Sequence, residues 1–110
     1  MQVVSRMTKS PATVSPRDTL AKAKRLMEAG GFRRLPVVQD GRVVGIITER
    51  DLRQHIGYLD ATRVDGAMTA APMTVRPSSS VQDAARLLLE HKVGGMPVVE
   101  NGDLVGIVTT

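Results

Sequence analysis

The apolar and polar positions along the chain form two patterns, a helical spacing and a pair of apolar runs around a turn, and each pattern occurs twice. Apolar residues spaced by three and four positions predict amphipathic helices over residues 19–29 and 80–91. Apolar runs on either side of Asp40-Gly41 and of Asn101-Gly102 predict two hairpins, because both turn positions of such dipeptides tolerate positive φ. The pattern therefore predicts a helix followed by a strand pair in each half of the chain.

The two halves are copies of each other. Residues 7–49 align with residues 68–110 at a constant offset of 61 without a gap, and 17 of the 43 pairs are identical. This register indicates a tandem duplication of a β-α-β-β-α unit, an α/β (α+β) fold class. We expect repeats at residues 1–59 and 60–110 that together form one globular module. The second copy stops at Thr110, before its closing helix, so either the chain is cut there or another element covers the exposed sheet face.

Composition narrows the choice of partners. Phe32 and Tyr58 are the only aromatic residues, so the core is aliphatic and single-stranded nucleic acid lacks stacking platforms. The net charge of +4 suits a small anionic ligand and falls short of a nucleic-acid footprint. Cysteine is absent, and the N-terminus has no long apolar run. We expect a cytoplasmic protein without a signal peptide or membrane span.

The ordered motifs MT-x-x-P-x-TV-x-P, RRLPVV, DG and VVGIITERDL, with their duplicated spacing, resemble the CBS (cystathionine β-synthase) domain. Two such repeats in tandem resemble a CBS-domain pair, or Bateman module. The resemblance implies an α/β sandwich with a pseudo-two-fold axis between the repeats. It also implies a cleft between them that binds an adenosine-containing ligand such as AMP, ADP, ATP or S-adenosylmethionine, and a homodimer of pairs.

The tetrapeptide Thr48-Glu49-Arg50-Asp51 directly follows the first hairpin. By itself, Thr-x-x-Asp at a strand-to-helix junction is a helix cap with an acidic first turn. In the family that the chain resembles, the carboxylate of Ser/Thr-x-x-Asp accepts hydrogen bonds from both ribose hydroxyls, and the hydroxyl helps to bind the ligand. The resemblance therefore implies ligand-binding roles for Thr48 and Asp51, and capping is compatible with them.

Two arginines, Arg33 and Arg34, stand at the entrance of the first hairpin. The alternative interpretation of both arginines is solvated charge at a strand entrance. Adjacent side chains in a strand point to opposite faces, so we expect at most one of the two to face a given cleft. By the resemblance, Arg34 contacts the phosphate of the ligand, for which a guanidinium offers a bidentate fork. The second copy has Gly94 and Gly95 at these positions.

The Pro-bounded segment Met68–Met73, by the same resemblance, lines an adenine pocket that the strand of the other repeat completes. Core packing is an equal alternative for Met68 and Met73. The predicted ligand site combines Arg33, Arg34, Leu35, Pro36, Thr48, Asp51, Met68, Ala71, Pro72 and Met73. A weaker second site, which lacks both the cation and the Asp, combines Ala12, Met96, Pro97 and Thr109.

The function that these observations favour is a non-catalytic regulatory module. We expect it to bind an adenosine-containing ligand and to signal through the conformation of a homodimer or of an effector protein. The sequence contains no nucleophile set, acid/base pair or metal-ligand spacing, so we expect no enzyme, no metal site and no required cofactor. The alternative is a ligand-independent dimerisation or protein-interaction module with a vestigial cleft.

Overall fold

The structure, a computed structural model, describes every residue from Met1 to Thr110. It confirms the α+β fold class, with three α-helices, six strands and two short 3-10 helices. The helices are α1 (Leu20–Gly30), α2 (Glu49–Gln54) and α3 (Val81–His91), and the 3-10 helices are Val3–Ser5 and Val64–Gly66. The strands are β1 (Thr8–Lys9), β2 (Arg34–Gln39), β3 (Arg42–Thr48), β4 (Thr69–Ala70), β5 (Gly95–Glu100) and β6 (Asp103–Thr109).

The two long helices begin and end at local sequence signals. The Thr19 hydroxyl accepts a hydrogen bond from the backbone N–H of Lys22, and the Ser80 hydroxyl accepts one from Asp83, which satisfies a free amide at each helix start. Gly31 follows α1 in the left-handed region at a φ of 70°, a conformation that glycine adopts without a steric penalty. The bounds of both helices lie within one residue of those predicted.

The hairpins form at the two predicted turns. Asp40 and Gly41 have φ of 53° and 80°, and Asn101 and Gly102 have φ of 53° and 86°, as a two-residue turn of positive φ requires. β2 pairs antiparallel with β3, and β5 with β6, each with one irregularity in register. The strand that the β-α-β-β-α pattern requires before each long helix is only a single parallel bridge, which Val14 makes with Val37 and Val75 makes with Val98.

Residues group into two compact units. Unit 1 comprises Met1–Pro11 with Pro72–Thr110, and unit 2 comprises Ala12–Ala71. Each repeat therefore gives its first residues to the unit that is built mainly from the other repeat. In unit 1, β1 pairs with β6; in unit 2, β4 pairs with β3. The predicted boundary between residues 59 and 60 divides the chain by sequence similarity. The two units are defined by contacts instead, and each of them contains residues from both sides of that boundary.

Each unit has its own aliphatic core on one face of its sheet. In unit 2 this core joins one face of the β2–β3 hairpin to α1 and α2; its buried residues are Val14, Leu20, Ala23, Met27, Leu35, Val37, Ile47, Leu52 and Val64. In unit 1 the corresponding core contains Val3, Val75, Ala84, Leu88, Met96, Val98 and Val108. Because side chains alternate along a strand, the residues between these point to the opposite sheet face, where the candidate site lies.

Candidate functional site

Arg34 and Thr48 are direct partners across the antiparallel ladder of β2 and β3. Directly opposite residues place their side chains on the same sheet face, about 5 Å apart at Cβ. The backbone N–H of Glu49 donates a hydrogen bond to the carbonyl of Arg33 at 2.8 Å, which fixes the start of α2 beside the start of β2. The hairpin and the first turn of α2 thus bring Arg34, Thr48 and Asp51 to one end of unit 2.

A reciprocal capping box links Thr48 and Asp51. The Thr48 hydroxyl accepts a hydrogen bond from the backbone N–H of Asp51 at 3.3 Å. In return, the backbone N–H and the hydroxyl of Thr48 both donate to Oδ2 of Asp51, at 2.8 and 2.9 Å. Oδ1 accepts no hydrogen bond from the protein, so this half-buried carboxylate is held rigidly with one oxygen free to accept donors from a ligand.

The two arginines differ in environment, as strand alternation requires. Arg33 is exposed, whereas Arg34 is half-buried. Burial, reinforced by the like charge of Arg33, lowers the pKa of Arg34. Neither guanidinium takes part in an ion pair; the four ion pairs of the molecule involve Lys22, Arg53, Arg63 and Arg86. A half-buried cation without a carboxylate is the arrangement that an anionic ligand stabilises.

The predicted residues Leu35 and Pro36 lie on opposite sheet faces. Leu35 pairs with Ile47 and its side chain is 1% exposed within the core of unit 2. Pro36 pairs with Ile46 on the face that carries Arg34 and Thr48. Pro36 therefore shares the face of the two polar side chains but is fully buried there, whereas Leu35 belongs to the core on the other face.

The segment Met68–Ala71 lies against β3 in unit 2. Ala70 pairs with Gly45, and the backbone N–H of Ala71 donates to the carbonyl of Val44 at 3.1 Å. The Met68 thioether packs against the core side of Gly45, where a Cβ would collide with its Sδ. Met68 was predicted either to line the pocket or to pack in the core. The structure shows its side chain packed against the core of unit 2.

Ala71 closes this segment in the left-handed region at a φ of 47°, and Ser10 has the same φ in unit 1. An L-residue other than Gly, Asn or Asp rarely adopts this conformation, so the chain holds a local strain of about 1 kcal/mol at each position. The remaining predicted residues of the segment, Pro72 and Met73, belong to unit 1, where Met73 packs against the core.

Unit 1 reproduces the same backbone with different chemistry. Gly95 takes the place of Arg34 opposite Thr109, and the backbone N–H of Thr110 donates to the carbonyl of Gly94 at 3.0 Å. Met96 is 1% exposed in the core of unit 1, and Pro97 lies on the other face opposite Ile107. The fourth residue of the weaker predicted site, Ala12, packs against the core of unit 2. Neither Gly94 nor Gly95 supplies the cation that Arg33 and Arg34 supply at the corresponding positions of unit 2.

Two further residues of unit 2 complete the sheet face: Ile46, which was not predicted, and Thr69, which lies within the predicted segment Met68–Met73 but was not singled out. Ile46 pairs with Pro36 on one side and with Thr69 on the other, so all three side chains form a row across β2, β3 and β4. Thr48 and Ile46 are two positions apart in one strand, and this period would have indicated Ile46. The position of Thr69 on this face follows only from the pairing of β4 with β3, and no local sequence pattern predicts that pairing.

No cluster of three or more His, Cys, Asp or Glu side chains is arranged to hold a metal ion. None of the helices combines the length and the apolar character that a membrane crossing requires.

This chain belongs to the CBS domain family, whose sequence pattern matches residues 2–58 and 63–110. The chain is thus a tandem pair of CBS domains. It is 39% identical over 98 residues to inosine-5'-monophosphate dehydrogenase of Korarchaeum cryptofilum, an alignment that covers 88% of this chain and 20% of that enzyme. The chain therefore spans about a fifth of the length of that relative.

Two solved structures share the fold over nearly the whole chain. CBSX2 of Arabidopsis thaliana, solved in complex with AMP, is 33% identical with a TM-score of 0.85, covering 98% of this chain and 89% of that one. The CBS domain pair of protein MJ0100, solved with 5'-methylthioadenosine and S-adenosyl-L-methionine, is 26% identical with a TM-score of 0.91, covering 99% and 89%. Both of these relatives bind adenosine derivatives.

Proposed function

We propose that the chain is a non-catalytic regulatory module whose unit 2 binds a phosphate-bearing adenosine ligand such as AMP. The observation that carries this proposal is the half-buried, unpaired guanidinium of Arg34, opposite Thr48 in the ladder. A bound phosphate supplies the missing negative charge in a bidentate geometry. The ribose hydroxyls donate to Asp51, whose Oδ1 accepts no hydrogen bond within the protein.

The relatives support the class of ligand. One binds AMP and another binds 5'-methylthioadenosine and S-adenosyl-L-methionine, so adenosine is the part that their ligands share. The choice among adenosine derivatives depends on Arg34, because it is the group that discriminates a phosphate from an uncharged or cationic substituent. AMP, ADP and ATP are therefore expected to bind more tightly than S-adenosylmethionine.

The ligand acts as a regulator by shifting a conformational equilibrium of the chain, of a homodimer or of an attached effector protein. Such a shift requires that the ligand bind the two states with different affinity. In the chain, the ligand would bridge the first turn of α2 to the start of β2, through Asp51 and Arg34. Each chain carries a single competent site, because Gly94 and Gly95 stand where unit 2 has its arginines.

The test is calorimetric titration of the purified full chain with AMP, ADP, ATP, adenosine and S-adenosylmethionine. We expect saturable binding of the three nucleotides at one site per chain, with weaker binding of adenosine and S-adenosylmethionine. A melting temperature that rises with AMP concentration supports the same conclusion. Absence of any binding by a chain that remains folded would overturn the proposal, and two sites of equal affinity would overturn its single-site part.

A second candidate, ligand-independent self-association, is favoured by one surface of unit 2. Between α1 and α2 lies a groove of about 260 Å³ whose rim includes Phe32 and Ile56, exposed by 40% and 73%. Sedimentation of the chain without ligand, beside an Ile56→Asp variant, tests this. Dimers that persist without ligand and dissociate in the variant would support a homodimer through this surface, and monomers in both samples would exclude it.

A further inference from the structure

The N-terminal arm of unit 1, Met1–Pro11, is hydrogen-bonded to the far end of the chain. The backbone N–H of Val3 donates to the carbonyl of Ser79 at 2.8 Å. β1, which lies in this arm, pairs antiparallel with β6. The other backbone hydrogen bonds between the arm and the rest of the chain also end between residues 77 and 107. The partners of the arm therefore belong to unit 1.

Two side chains build the arm into unit 1. Val3 is fully buried in the core of this unit. The sulfur of Met7 lies over Gly106, so close that a Cβ on this glycine would collide with it. Unit 1 is therefore complete only when an arm of this sequence is bound to it, whichever copy of the chain supplies that arm.

A short, strained connection joins the arm to unit 2. The chain passes from one unit to the other between Pro11 and Ala12. Just before this point, Ser10 has a φ of 47°, a left-handed conformation that is unfavourable for serine. A proline also favours an extended backbone at the residue that precedes it. Ser10 is therefore less strained in an extended hinge, and short hinges under strain favour the exchange of the element beyond them.

The duplicated segment of unit 2 provides an internal comparison. Residues 64–71 correspond to the arm at the offset of 61. Their contacts also correspond, since Val64 is fully buried and the sulfur of Met68 lies over Gly45. This segment, however, lies inside the continuous stretch Ala12–Ala71, so its N-terminal connection keeps it in its own unit. The same element thus occurs once beyond a hinge and once within a continuous unit.

We propose that the arm binds to unit 1 of a second copy of this chain, so that two copies form a homodimer by exchanging residues 1–11. Each exchanged arm makes the same contacts with residues 77–107 that it makes within one chain, and each Ser10 becomes extended. The surface that includes Phe32 and Ile56 takes no part in this exchange. The ligand site proposed for unit 2 takes no part either, so the exchange is independent of the proposed function.

An engineered disulfide can report which copy an arm is bound to, because the chain contains no cysteine. Thr8 and Ile107 lie directly opposite in the ladder of β1 and β6. The Cα atoms of such partners are about 4.5–5.5 Å apart, a span that a disulfide bridges. One chain carries Thr8→Cys, and a second chain, made longer by a tag, carries Ile107→Cys. After the two are mixed in urea, refolded together over a range of protein concentrations and oxidised, we expect a covalent heterodimer on a non-reducing gel.

The corresponding pair of residues in unit 2 is the matched control. Thr69 and Ile46 lie directly opposite in the ladder of β4 and β3, and they correspond to Thr8 and Ile107 at the offset of 61. One chain carries Thr69→Cys and the other Ile46→Cys, and both are treated in the same way. They should be linked at least about tenfold less, because this segment has a higher effective concentration at its own strand than any second chain has.

Variants of the hinge test the role of strain. Asparagine accepts the left-handed conformation more readily than serine, so Ser10→Asn stabilises the arm on its own chain. We expect the dissociation constant of the dimer to rise by about tenfold, because each dimer contains two hinges. Ala71→Asn relieves the strain of a residue with the same φ of 47° in unit 2 and should leave this constant unchanged. Sedimentation over a range of concentrations measures both variants.

Three outcomes would overturn the proposal. The first is the absence of a link between residues 8 and 107 in folded protein at every concentration. The second is equal linking of the two cysteine pairs, which assigns the disulfides to chance collisions. The third is a dimer that lacks the link between residues 8 and 107 and dissociates in Ile56→Asp, which assigns dimerisation to the groove between α1 and α2. Melting curves by circular dichroism establish that each variant is folded.

Discussion

Thr48 donates two hydrogen bonds, from its backbone N–H and its hydroxyl, to a single oxygen of Asp51, and the second oxygen receives none. The carboxylate therefore caps the helix with Oδ2, and Oδ1 is free to accept hydrogen bonds from the ligand proposed above. A helix cap and a ribose site need not compete for the same lone pairs. This division explains how one residue can fulfil both of the roles that the tetrapeptide suggests.

Asp51→Asn should separate these two roles. The amide keeps an oxygen for the cap but loses the negative charge, so we expect a loss of about 1 kcal/mol or less in the free energy of unfolding. AMP binding should weaken by at least about tenfold, because charge-assisted hydrogen bonds to the ribose are lost. Urea unfolding and calorimetry measure the two quantities.

The control for Asp51→Asn is Glu49→Gln, which removes the same charge from the same helical turn. Glu49 is exposed and pairs with Arg53 at 3.4 Å, so its replacement should change both quantities little. Equal loss of AMP binding in both variants would mean that the net charge of the turn matters and that Asp51 has no specific role.

Arg34→Gln should discriminate ligands by their phosphate. We expect AMP binding to weaken by about tenfold or more, while adenosine affinity changes by less than about twofold, because the guanidinium contacts only the phosphate. Titrations of both ligands against the same protein give the comparison. Arg33→Gln, at the exposed neighbouring position, is the matched control and should have the smaller effect on AMP. A parallel loss of adenosine binding would contradict the assignment of Arg34 to the phosphate.

Gly45→Ala should destabilise the chain by about 1–3 kcal/mol, the usual cost of overpacking. The new methyl group collides with the Met68 sulfur and lies 3.0 Å from the Thr69 carbonyl oxygen, which β4 holds in place. Gly66→Ala is the control, because its methyl group meets only Thr62 at 3.9 Å. The denaturant midpoints of the two variants measure this difference in stability. Equal midpoints would contradict the prediction, because they would show that Met68 and β4 shift to accommodate the methyl group at little cost.

Asp18 should contribute to stability in a pH-dependent way. The backbone N–H of Ser15 donates to it at 2.8 Å and lowers its pKa; burial opposes this, and the charge of Lys22 adds to it. A carboxyl whose pKa is lowered by folding stabilises the folded state above its unfolded pKa of about 3.9. That contribution disappears as the pH falls through the lower, folded pKa.

The expected result for Asp18→Asn is a loss of about 1 kcal/mol at neutral pH. The difference from wild type should shrink as the pH falls below about 4, because the wild-type carboxyl is then protonated as well. Asp60→Asn, which removes an exposed acid without hydrogen bonds, serves as the control. A difference that stays constant between neutral and acidic pH would assign the effect of Asp18 to packing.

Local signals in the sequence predicted most of the fold. Asp40-Gly41 and Asn101-Gly102 identify their hairpins because few dipeptides accept two successive residues at positive φ. Thr19 and Ser80 mark the starts of α1 and α3 because their hydroxyls replace the missing acceptors of the first turn. Thr48-x-x-Asp51 likewise predicted the start of α2.

The sequence could not show which face each residue of the candidate site occupies. Leu35 stands between Arg34 and Pro36, and only the register of β2 with β3 assigns it to the core. An apolar run without alternation carries no information about its two faces. The side of β3 on which Met68 packs depends on the pairing of β4, a tertiary contact that has no local signature.

Unit 2 is one continuous stretch of chain, whereas unit 1 is assembled from both of its ends. β1 has no partner until β6, which follows every other strand, has left the ribosome. Pairing over such a separation forms slowly because the loop must first be closed, and folding during synthesis proceeds from the N-terminal side. We therefore expect the stretch that bears Arg34, Thr48 and Asp51 to fold while residues 1–11 are still unpaired.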